Sequence, residues 1–446
     1  RDYYLGGHTQ PIDAMLEALA ARAISARAFM LTSLKDGAAL ELVKSEFSDN
    51  PADVIIDATA FSAGSGVQPL AYLDIPILQV ALANMSFDGW KESKRGLSTS
   101  DMAMQVVLPE ADGRIFTRAI SFKAEGKNHE ALEFSRKFND PEAGRVEYVA
   151  ALAAAWINLR KKKNSEKKLA LILSDYPQRG GRKGYAVGLD AMASVEVILE
   201  MLEEDGYAVD GHMSWVVGHE KKITYGADAY RKRFAVLPPE NQQAVIALWG
   251  NPPTEDFFLP IQICGNVAIA LQPDRGSFTD KKTGYHDSAT PPNHHYLAFY
   301  FWLREEFTMD ALIHLGTHGN LEWLPAKTVA LSENCWPEVV LGTTPVIYPY
   351  IVSDAGEATQ AKRRISAVII SHLTPPVQKV ELTPELAELE ALTDEYSSAD
   401  GLDGRRMKLL RDEIIFRAMS VGTTLDGLDS INTQIDQLAF SLDSKV

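Results

Sequence analysis

The sequence is poor in cysteine, with only Cys264 and Cys335 among its 446 residues. The two are far apart, and neither belongs to a Cys-x-x-Cys spacing. This excludes a disulfide framework and a zinc ribbon and favours a reducing, cytoplasmic location. We therefore expect each thiol to be a small buried hydrophobic side chain rather than a metal ligand.

Long apolar runs and an excess of positive charge are also lacking. No stretch approaches the roughly 20 apolar residues that a membrane-spanning helix needs, and no signal peptide is recognisable. The formal net charge is −16, which argues against nucleic acid and anionic membranes as partners. A basic or metal-carrying partner is easier to accommodate. The Walker A pattern of nucleotide-binding loops is absent too, so ATP is not expected to bind this chain through a P-loop.

What the sequence does contain is an alternation of helical and strand-like segments. Helical periodicity covers residues 11–22 and 36–47, and apolar strand-like runs cover 26–32, 53–59 and 75–82. Alternation at these lengths predicts a parallel sheet, flavodoxin-like or related to that fold. A strand at 169–174 and a helix at 190–204 predict a second unit of the same kind. The predicted fold class is α/β, with two or more such units around a cleft, an irregular insertion and a helical C-terminal segment.

The predicted boundaries follow changes in composition. We expect an α/β domain at 1–115, a connecting segment with a helix at 116–165, an α/β core at 166–380 and a helical segment at 381–446. The basic run at 161–168 is the clearest connection between units. Residues 207–293 are predicted to be rich in loops, and the helix that begins after residue 354 is expected to continue to His372.

The chemistry-bearing residues concentrate after an apolar run at 311–315 that ends at Gly316, as a buried strand entering a tight turn would. His314, His318 and Glu322 follow one another there at intervals of four. A helical turn after Gly319 would place His318 and Glu322 on one face. Such a trio can hold a first-row divalent metal or transfer protons near neutral pH. Alternatively, His314 alone is a hydrogen-bonded group of the core.

Several basic side chains are candidates for binding an acidic ligand. They are Arg95, Arg182 in the glycine-rich loop 175–184, Lys327, and the run Lys362, Arg363 and Arg364. The loop lacks both the P-loop and the dinucleotide-binding pattern, so nucleotide binding there has little support. The basic run either pairs with ligand carboxylates or faces water.

The stretch His318-Gly-Asn-Leu-Glu-Trp-Leu-Pro-Ala-Lys327 resembles the signature of the large subunit of aerobic cobaltochelatase (CobN), a relative of the large subunit of magnesium chelatase. The magnesium enzymes resemble it less here, since they typically carry Ser, Phe and Met at the positions of Asn320, Trp323 and Leu324. One departure is Ala326, where many members have Gly. Further similar stretches are Arg95-Gly-Leu-Ser, Leu108-Pro-Glu, Asp112-Gly-Arg114, Tyr285-His-Asp, Ala361-Lys-Arg-Arg364, His372-Leu-Thr-Pro-Pro376 and Gly401-Leu-Asp-Gly-Arg-Arg406.

The resemblance implies a subunit that binds a tetrapyrrole and a metal, Co(II) being the substrate metal and hydrogenobyrinic acid a,c-diamide the second substrate. It implies ATP-Mg hydrolysis on separate AAA+ partner subunits rather than on this chain. His318, Glu322 and His314 would hold the metal and act in catalysis. Lys327, Lys362, Arg363, Arg364, Arg182 and Arg95 would bind the substrate's carboxylates. Members of the family are far longer, so the chain is expected to be a central fragment or a short homologue.

Two alternatives stay open at the level of sequence. One is the large subunit of a magnesium or nickel chelatase, and the other is a non-catalytic tetrapyrrole carrier or sensor. Either chelatase hypothesis expects the imidazole–carboxylate cluster to open into a cavity wide enough for a macrocycle.

Overall fold

Two α/β units make up the computed structural model, with two further helices after them. The structure describes residues 2–63, 69–129, 131, 133–174, 189–210, 222–276, 289–316, 319–351, 355–372, 383–399 and 404–420. Across these ranges, no helix combines the length and the apolar character needed to cross a membrane.

The first unit has a four-stranded sheet in the order β1-β2-β3-β4, in which β1, β2 and β3 run parallel and β4 is antiparallel to β3. Its strands are β1 Ile55–Asp57, β2 Ile77–Leu82, β3 Ile115–His129 and β4 Phe134–Pro141. Its helices are α1 Asp2–Leu5, α2 Gln10–Ala21, α3 Gly37–Asp49, α4 Phe87–Glu92, α5 Thr99–Met102, α6 Leu108–Ala111 and α7 Ala143–Lys161. A π-helical stretch, Ala103–Val107, separates α5 from α6.

Both faces of this sheet are covered, which is why every residue of β2 is buried. Helices α2 and α7 pack their apolar stripes against one face. On the other face, Trp90 and Phe122 pack together with Val329 and Ala330, which belong to the second unit. The two units therefore share an apolar core.

The second unit has a six-stranded sheet in the order β12-β11-β10-β5-β9-β8, parallel except for the antiparallel edge strand β8. A separate hairpin pairs β6 with β7. The strands are β5 Leu169–Leu173, β6 Lys222–Tyr225, β7 Phe257–Pro260, β8 Gln262–Cys264, β9 Val267–Leu271, β10 Ala311–Leu315, β11 Val346–Ile351 and β12 Val368–His372. The helices are α8 Ala191–Glu204, α9 Ala227–Ala235, α10 Pro239–Trp249, α11 His294–Glu305, α12 Trp336–Leu341 and α13 Ala355–Ile365.

The order of the second sheet puts β10 between β5 and β11, away from either edge. Helix α8 packs on one face, and α9, α10 and α11 cover the other. Because ligands of such sheets lie beyond the carboxyl ends of the strands, the residues after β10 occupy the position where a site is expected. The predicted α/β class is thus confirmed, and so is the burial of both thiols, neither of which forms a disulfide.

Three local predictions are wrong. Residues 26–32 form no strand, and Phe29 and Met30 stay exposed. The described residues of the region 207–293, which are 207–210, 222–276 and 289–293, include two helices and four strands, and Pro239 stands in the first turn of α10. Helix α13 ends at Ile365 rather than at His372, because Ser366 has a φ of 52° and redirects the chain into β12.

After the two units, helices α14 Pro384–Ala399 and α15 Gly404–Ser420 pack against each other through Leu389, Tyr396 and Ile414. These helices agree with the helical C-terminal segment that the sequence predicts.

Helix α11 carries the aromatic stripe of the core. Tyr296, Phe299, Tyr300 and Leu303 are fully enclosed, as their helical spacing predicts. At its first residue, His294 contacts the Tyr230 hydroxyl through Nδ1 (2.6 Å) and the Gly250 carbonyl through Nε2 (3.0 Å). Burial lowers the pKa of His294 below its usual value, partly opposed by its hydrogen bond to the Gly250 carbonyl.

We expect stability to fall with acidification partly through His294. Below about pH 6.5 the unfolded chain protonates this imidazole while the folded protein does not, so folding loses up to about 1.4 kcal/mol per pH unit until the lower folded pKa is reached. Urea unfolding between pH 7 and pH 5 should show a steeper loss in the wild type than in His294→Gln. Equal slopes would contradict this account.

A buried ion triad joins the two units. The Glu338 carboxylate of α12 accepts hydrogen bonds from Arg118 Nε of β3 at 2.8 Å and from Arg145 Nη1 of α7 at 2.7 Å. All three side chains are at most 8% exposed. The Arg118 guanidinium also lies 4.1 Å from the ring centroid of Tyr148. Burial tends to lower the pKa of Arg118, and the neighbouring Tyr148 and Glu338 outweigh it, so the pKa is raised.

Glu338→Gln should destabilise the protein by about 3–5 kcal/mol, because two buried guanidinium groups would lose the buried carboxylate that they share. Chemical denaturation measures this. Glu388→Gln removes a carboxylate paired with Arg417 at the surface and should cost less than about 1 kcal/mol. Similar losses for the two variants would show that the triad does not stabilise the junction.

Candidate active site

Strand β10 delivers His314 to the carboxyl end of the sheet. Its pairing with β5 places His314 opposite Ile172, and the whole imidazole is enclosed. Gly316 then turns the chain with a φ of 151°. A Cβ atom at this position would lie 2.3 Å from Ser174 Oγ, so only glycine fits.

The His314 imidazole has a hydrogen bond at one edge of its ring and an aromatic contact on one face. Its Nε2 is 3.0 Å from Ser174 Oγ, and its ring stacks on Tyr348 of β11 with a centroid distance of 4.8 Å and an interplanar angle of 9°. This is the environment expected for a hydrogen-bonded core histidine, the alternative that the sequence left open for His314.

Glu322 contacts the hydroxyl of the same tyrosine. Its Oε1 accepts hydrogen bonds from the Gly319 N–H (3.0 Å) and the Tyr348 hydroxyl (3.1 Å). The side chain is fully buried, and within the described part of the chain Oε2 has no hydrogen-bond partner. Tyr348 therefore joins His314, through its ring, to Glu322, through its hydroxyl.

His318, the third member of the predicted trio, lies outside the described residues. The predicted helical turn after Gly319 is reduced to two successive i→i+3 hydrogen bonds, from Trp323 N to Asn320 O and from Leu324 N to Leu321 O. Among the residues that the structure describes, no group of three or more His, Cys, Asp or Glu side chains could hold a metal ion. The proposed metal-binding role of His318, Glu322 and His314 therefore stays a prediction.

Three hydrogen bonds connect the loop to Gln272 and to helix α11. The Asn320 main-chain N–H donates to Gln272 Oε1 (2.8 Å), Gln272 Nε2 donates to the Tyr300 hydroxyl (2.8 Å), and the Tyr296 hydroxyl donates to Asn320 Oδ1 (2.7 Å). The Tyr296 and Tyr300 rings contact each other at 5.0 Å between centroids. Sequence reasoning missed these hydrogen bonds, since the loop, Gln272 and helix α11 are separate segments of the sequence and share no motif.

Arginines hold the main chain of the loop. Arg364 donates to the carbonyls of Glu322 and, at 2.7 Å, of Leu324, and Arg275 donates to the Trp323 carbonyl at 3.2 Å. Burial lowers the pKa of Arg364 to about 10. The Trp323 indole donates to Glu357 Oε2 at 2.8 Å. Arg364, predicted to bind substrate carboxylates, is thus engaged with the loop itself.

The other basic candidates have different surroundings. Lys362 and Arg363 both pair with Glu110 of the first unit, each at 2.8 Å. Arg95 is exposed and donates from Nε to the Leu97 carbonyl at 3.1 Å. Lys327 is buried and donates to three main-chain carbonyls. Arg182 lies outside the described residues, and a substrate-binding role for all of these residues stays a prediction.

The described members of the cluster do not open into the wide cavity that the sequence analysis expects. His314 and Glu322 are both 0% exposed. A cavity of about 170 Å³ lies between Glu110, Arg114 and Lys362, and one of about 240 Å³ lies beside Phe87 and Glu142. Described residues of the cluster line neither, and both are smaller than the roughly 300 Å³ at which ligand pockets usually begin.

The fold and the site define the class: an α/β protein with an enclosed imidazole–phenol–carboxylate cluster at the carboxyl ends of a parallel sheet. A family model described as CobN/Magnesium Chelatase matches residues 1–444. The chain belongs to this family.

Relatives of both branches match most of the chain. The aerobic cobaltochelatase subunit CobN of a Sinorhizobium species is 40% identical over 451 residues, covering 95% of this chain and 35% of that protein. CobN of Pseudomonas aeruginosa is 39% identical over 93% of this chain and 35% of its own length. The magnesium-chelatase subunit ChlH from the chloroplast of Oryza sativa is 32% identical over 74% of this chain and 25% of its length.

A solved structure of the catalytic subunit of cobaltochelatase from Mycobacterium tuberculosis superposes with a TM-score of 0.75 at 33% identity, covering 97% of this chain and 40% of that one. The chain thus spans about a third of the length of the CobN relatives it matches.

Gly319→Ala should disturb the cluster directly. A Cβ atom there would lie 2.3 Å from His314 Cε1 and 3.1 Å from Gln272 Oε1, so we expect a loss of about 1–3 kcal/mol, as for other overpacked sites. Gly37→Ala in helix α3, where nothing lies within 4 Å of the added atom, should instead stabilise by about 0.4–1 kcal/mol. Denaturant titration of the two variants and the wild type compares their free energies of unfolding. A neutral Gly319→Ala would mean that the loop can move away from His314 at no cost.

Proposed function

We propose that the full protein is the large subunit of an ATP-dependent cobaltochelatase that inserts Co(II) into hydrogenobyrinic acid a,c-diamide in aerobic cobalamin biosynthesis. The chain would supply part of the tetrapyrrole- and metal-binding machinery. Two comparisons support this: the CobN relatives are 40% and 39% identical, against 32% for the magnesium-chelatase relative from Oryza sativa. At Asn320, Trp323 and Leu324 the loop also resembles the cobalt rather than the magnesium branch.

The observation that carries the proposal is the state of Glu322. Two donors fix Oε1, whereas Oε2 is buried without a hydrogen-bond partner in the described part of the chain. Leaving a buried carboxylate oxygen unpaired costs free energy, so a purely structural role explains Glu322 poorly. A carboxylate held in this way is suited to accept a proton.

Metal insertion needs such a group. Two pyrrole N–H protons must leave the macrocycle as its ring nitrogens replace the ligands of the incoming cation. Glu322 Oε2 would accept one proton from a ring N–H, and the second would leave to water. His318 would deliver the metal, since Co(II) accepts imidazole and carboxylate ligands, and His314 would act as a second ligand or as an orienting group.

Because His314 and Glu322 are enclosed, the proposal requires that the cluster opens when the macrocycle binds. Glu322 would be shielded in the resting protein and reach the macrocycle only in the open one.

The proposed partners follow from the same assignment. ATP-Mg would be hydrolysed by separate AAA+ subunits of the chelatase complex, in the cytoplasm, with the tetrapyrrole as the ligand of this chain. Two other functions remain as alternatives: a magnesium or nickel chelatase subunit, and a tetrapyrrole carrier or sensor without catalytic activity.

In the full-length protein, Glu322→Gln should lower cobalt insertion by about 10²-fold or more, the usual contribution of a general base. Tetrapyrrole binding, measured by the quenching of tryptophan fluorescence, should persist. Glu196→Gln, on the exposed side of α8, is the matched control and should insert cobalt at the wild-type rate. Circular dichroism of both variants verifies folding.

Three results would reject the assignment. Unchanged insertion by Glu322→Gln would remove the proton-acceptor role. Magnesium or nickel product without any cobalt product, in assays with purified AAA+ subunits, would favour the other chelatases. Tetrapyrrole binding without ATP-linked insertion of any metal by the wild type would favour the carrier.

A further inference from the structure

Lys327 ends the loop that begins at Gly319, and its ammonium group is fully occupied. Nζ donates to the carbonyls of Trp90 (2.8 Å), Lys91 (2.8 Å) and Ser93 (2.7 Å) at the end of helix α4 in the first unit. The carbonyls at a helix end lack the full set of intrahelical donors, and the Trp90 carbonyl accepts the Ser93 amide as well, at 3.2 Å. Lysine has three N–H donors, and each has an acceptor here. The side chain is only 8% exposed.

The main chain after Lys327 continues the same contact. The amides of Thr328 and Val329 donate to the carbonyls of Lys94 and Arg95, both at 3.1 Å. The Trp90 indole donates back to the Ala330 carbonyl at 2.8 Å. Residues 327–330 and 90–95 are thus joined by six hydrogen bonds across the two units.

Gly96 shows how close this approach is. Its φ is 97°, and a Cβ atom would lie 2.0 Å from the Val329 carbonyl oxygen. Only glycine permits both the backbone conformation and the contact. Gly96, which lies in a stretch that resembles the family, therefore has a structural reason that does not involve a ligand.

The loop that carries Glu322 is consequently anchored at both ends. Near its start, Glu322 binds the Gly319 amide, and Arg364 binds the carbonyls of Glu322 and Leu324. At its end, Lys327 binds the first unit. We propose that Lys327 is a positioning residue that fixes the Glu322 loop to the first α/β unit and does not bind substrate carboxylates. This inference rests on the proposed function for its catalytic consequence, though not for the contact itself.

The test compares Lys327→Met, Lys327→Arg and Lys167→Met in the full-length protein. Lys167 is the matched control: it is similarly buried at 9% exposed and donates to Asn164, far along the chain from the loop. The first measurement is hydrogen exchange at the Thr328 and Val329 amides, which does not depend on activity. The second is the split between kcat and KM in cobalt insertion, with hydrogenobyrinic acid a,c-diamide as the varied substrate.

We expect Lys327→Met to accelerate exchange at both amides about tenfold or more relative to Lys167→Met. Its kcat should fall about tenfold while KM for the tetrapyrrole stays within about twofold. Lys327→Arg should not restore the rate, because a planar guanidinium cannot reproduce a three-carbonyl site built for a compact ammonium.

A substrate ligand would behave differently. Unchanged exchange with a tenfold rise in KM, and recovery of that KM by Lys327→Arg, would overturn the proposal, since an arginine also binds carboxylates. If Lys327→Met does not fold, Gly96→Ala disturbs the same contact without changing any charge and should accelerate the same exchange. If the wild type inserts no cobalt, the proposed function fails, and the exchange measurement alone still decides whether Lys327 anchors the loop.

Discussion

The burial of the Glu322 carboxylate is the constraint on which the site depends. Taking a carboxylate out of water costs several kcal/mol unless hydrogen bonds and nearby positive charge compensate. Here the compensation comes from the Gly319 amide, from the Tyr348 hydroxyl on the neighbouring strand, and from Arg364, which binds the main chain of the same residue. The loop adopts the conformation that brings these groups together, and Gly319 is needed because any larger residue would meet His314.

The same loop connects the two α/β units. Its end contacts the helix that follows β2, and α12, a few residues further on, places Glu338 between Arg118 and Arg145 of the first unit. Val329 and Ala330 complete the apolar face of the first sheet. The candidate site therefore lies on a junction with an apolar centre and a buried ion triad beside it. A movement of one unit relative to the other would shift the loop that carries Glu322.

How much of this could be predicted depended on whether the signal was local. The alternation of helices and strands, the buried strand before Gly316 and the stripe of α11 are local patterns, and all are present in the structure. The strand predicted at 26–32 failed because strand propensity needs a neighbour with which to pair. The prediction of a loop-rich 207–293 missed helices α9 and α10, and Pro239 stands in the first turn of α10, where its missing N–H costs no intrahelical hydrogen bond.

By itself, the sequence determined the α/β class and the family resemblance carried by residues 318–327, and it predicted a chemical role for Glu322. Only the tertiary structure decided that Tyr348 stands between His314 and Glu322, that Gln272 and Tyr296 support Asn320, and that Lys327 binds the first unit. The physical reason is that a hydrogen bond is made only when two atoms come within about 3 Å. Parallel strands are joined by long crossovers, so the residues that they bring into contact lie far apart in the sequence. No local sequence pattern therefore indicates these contacts.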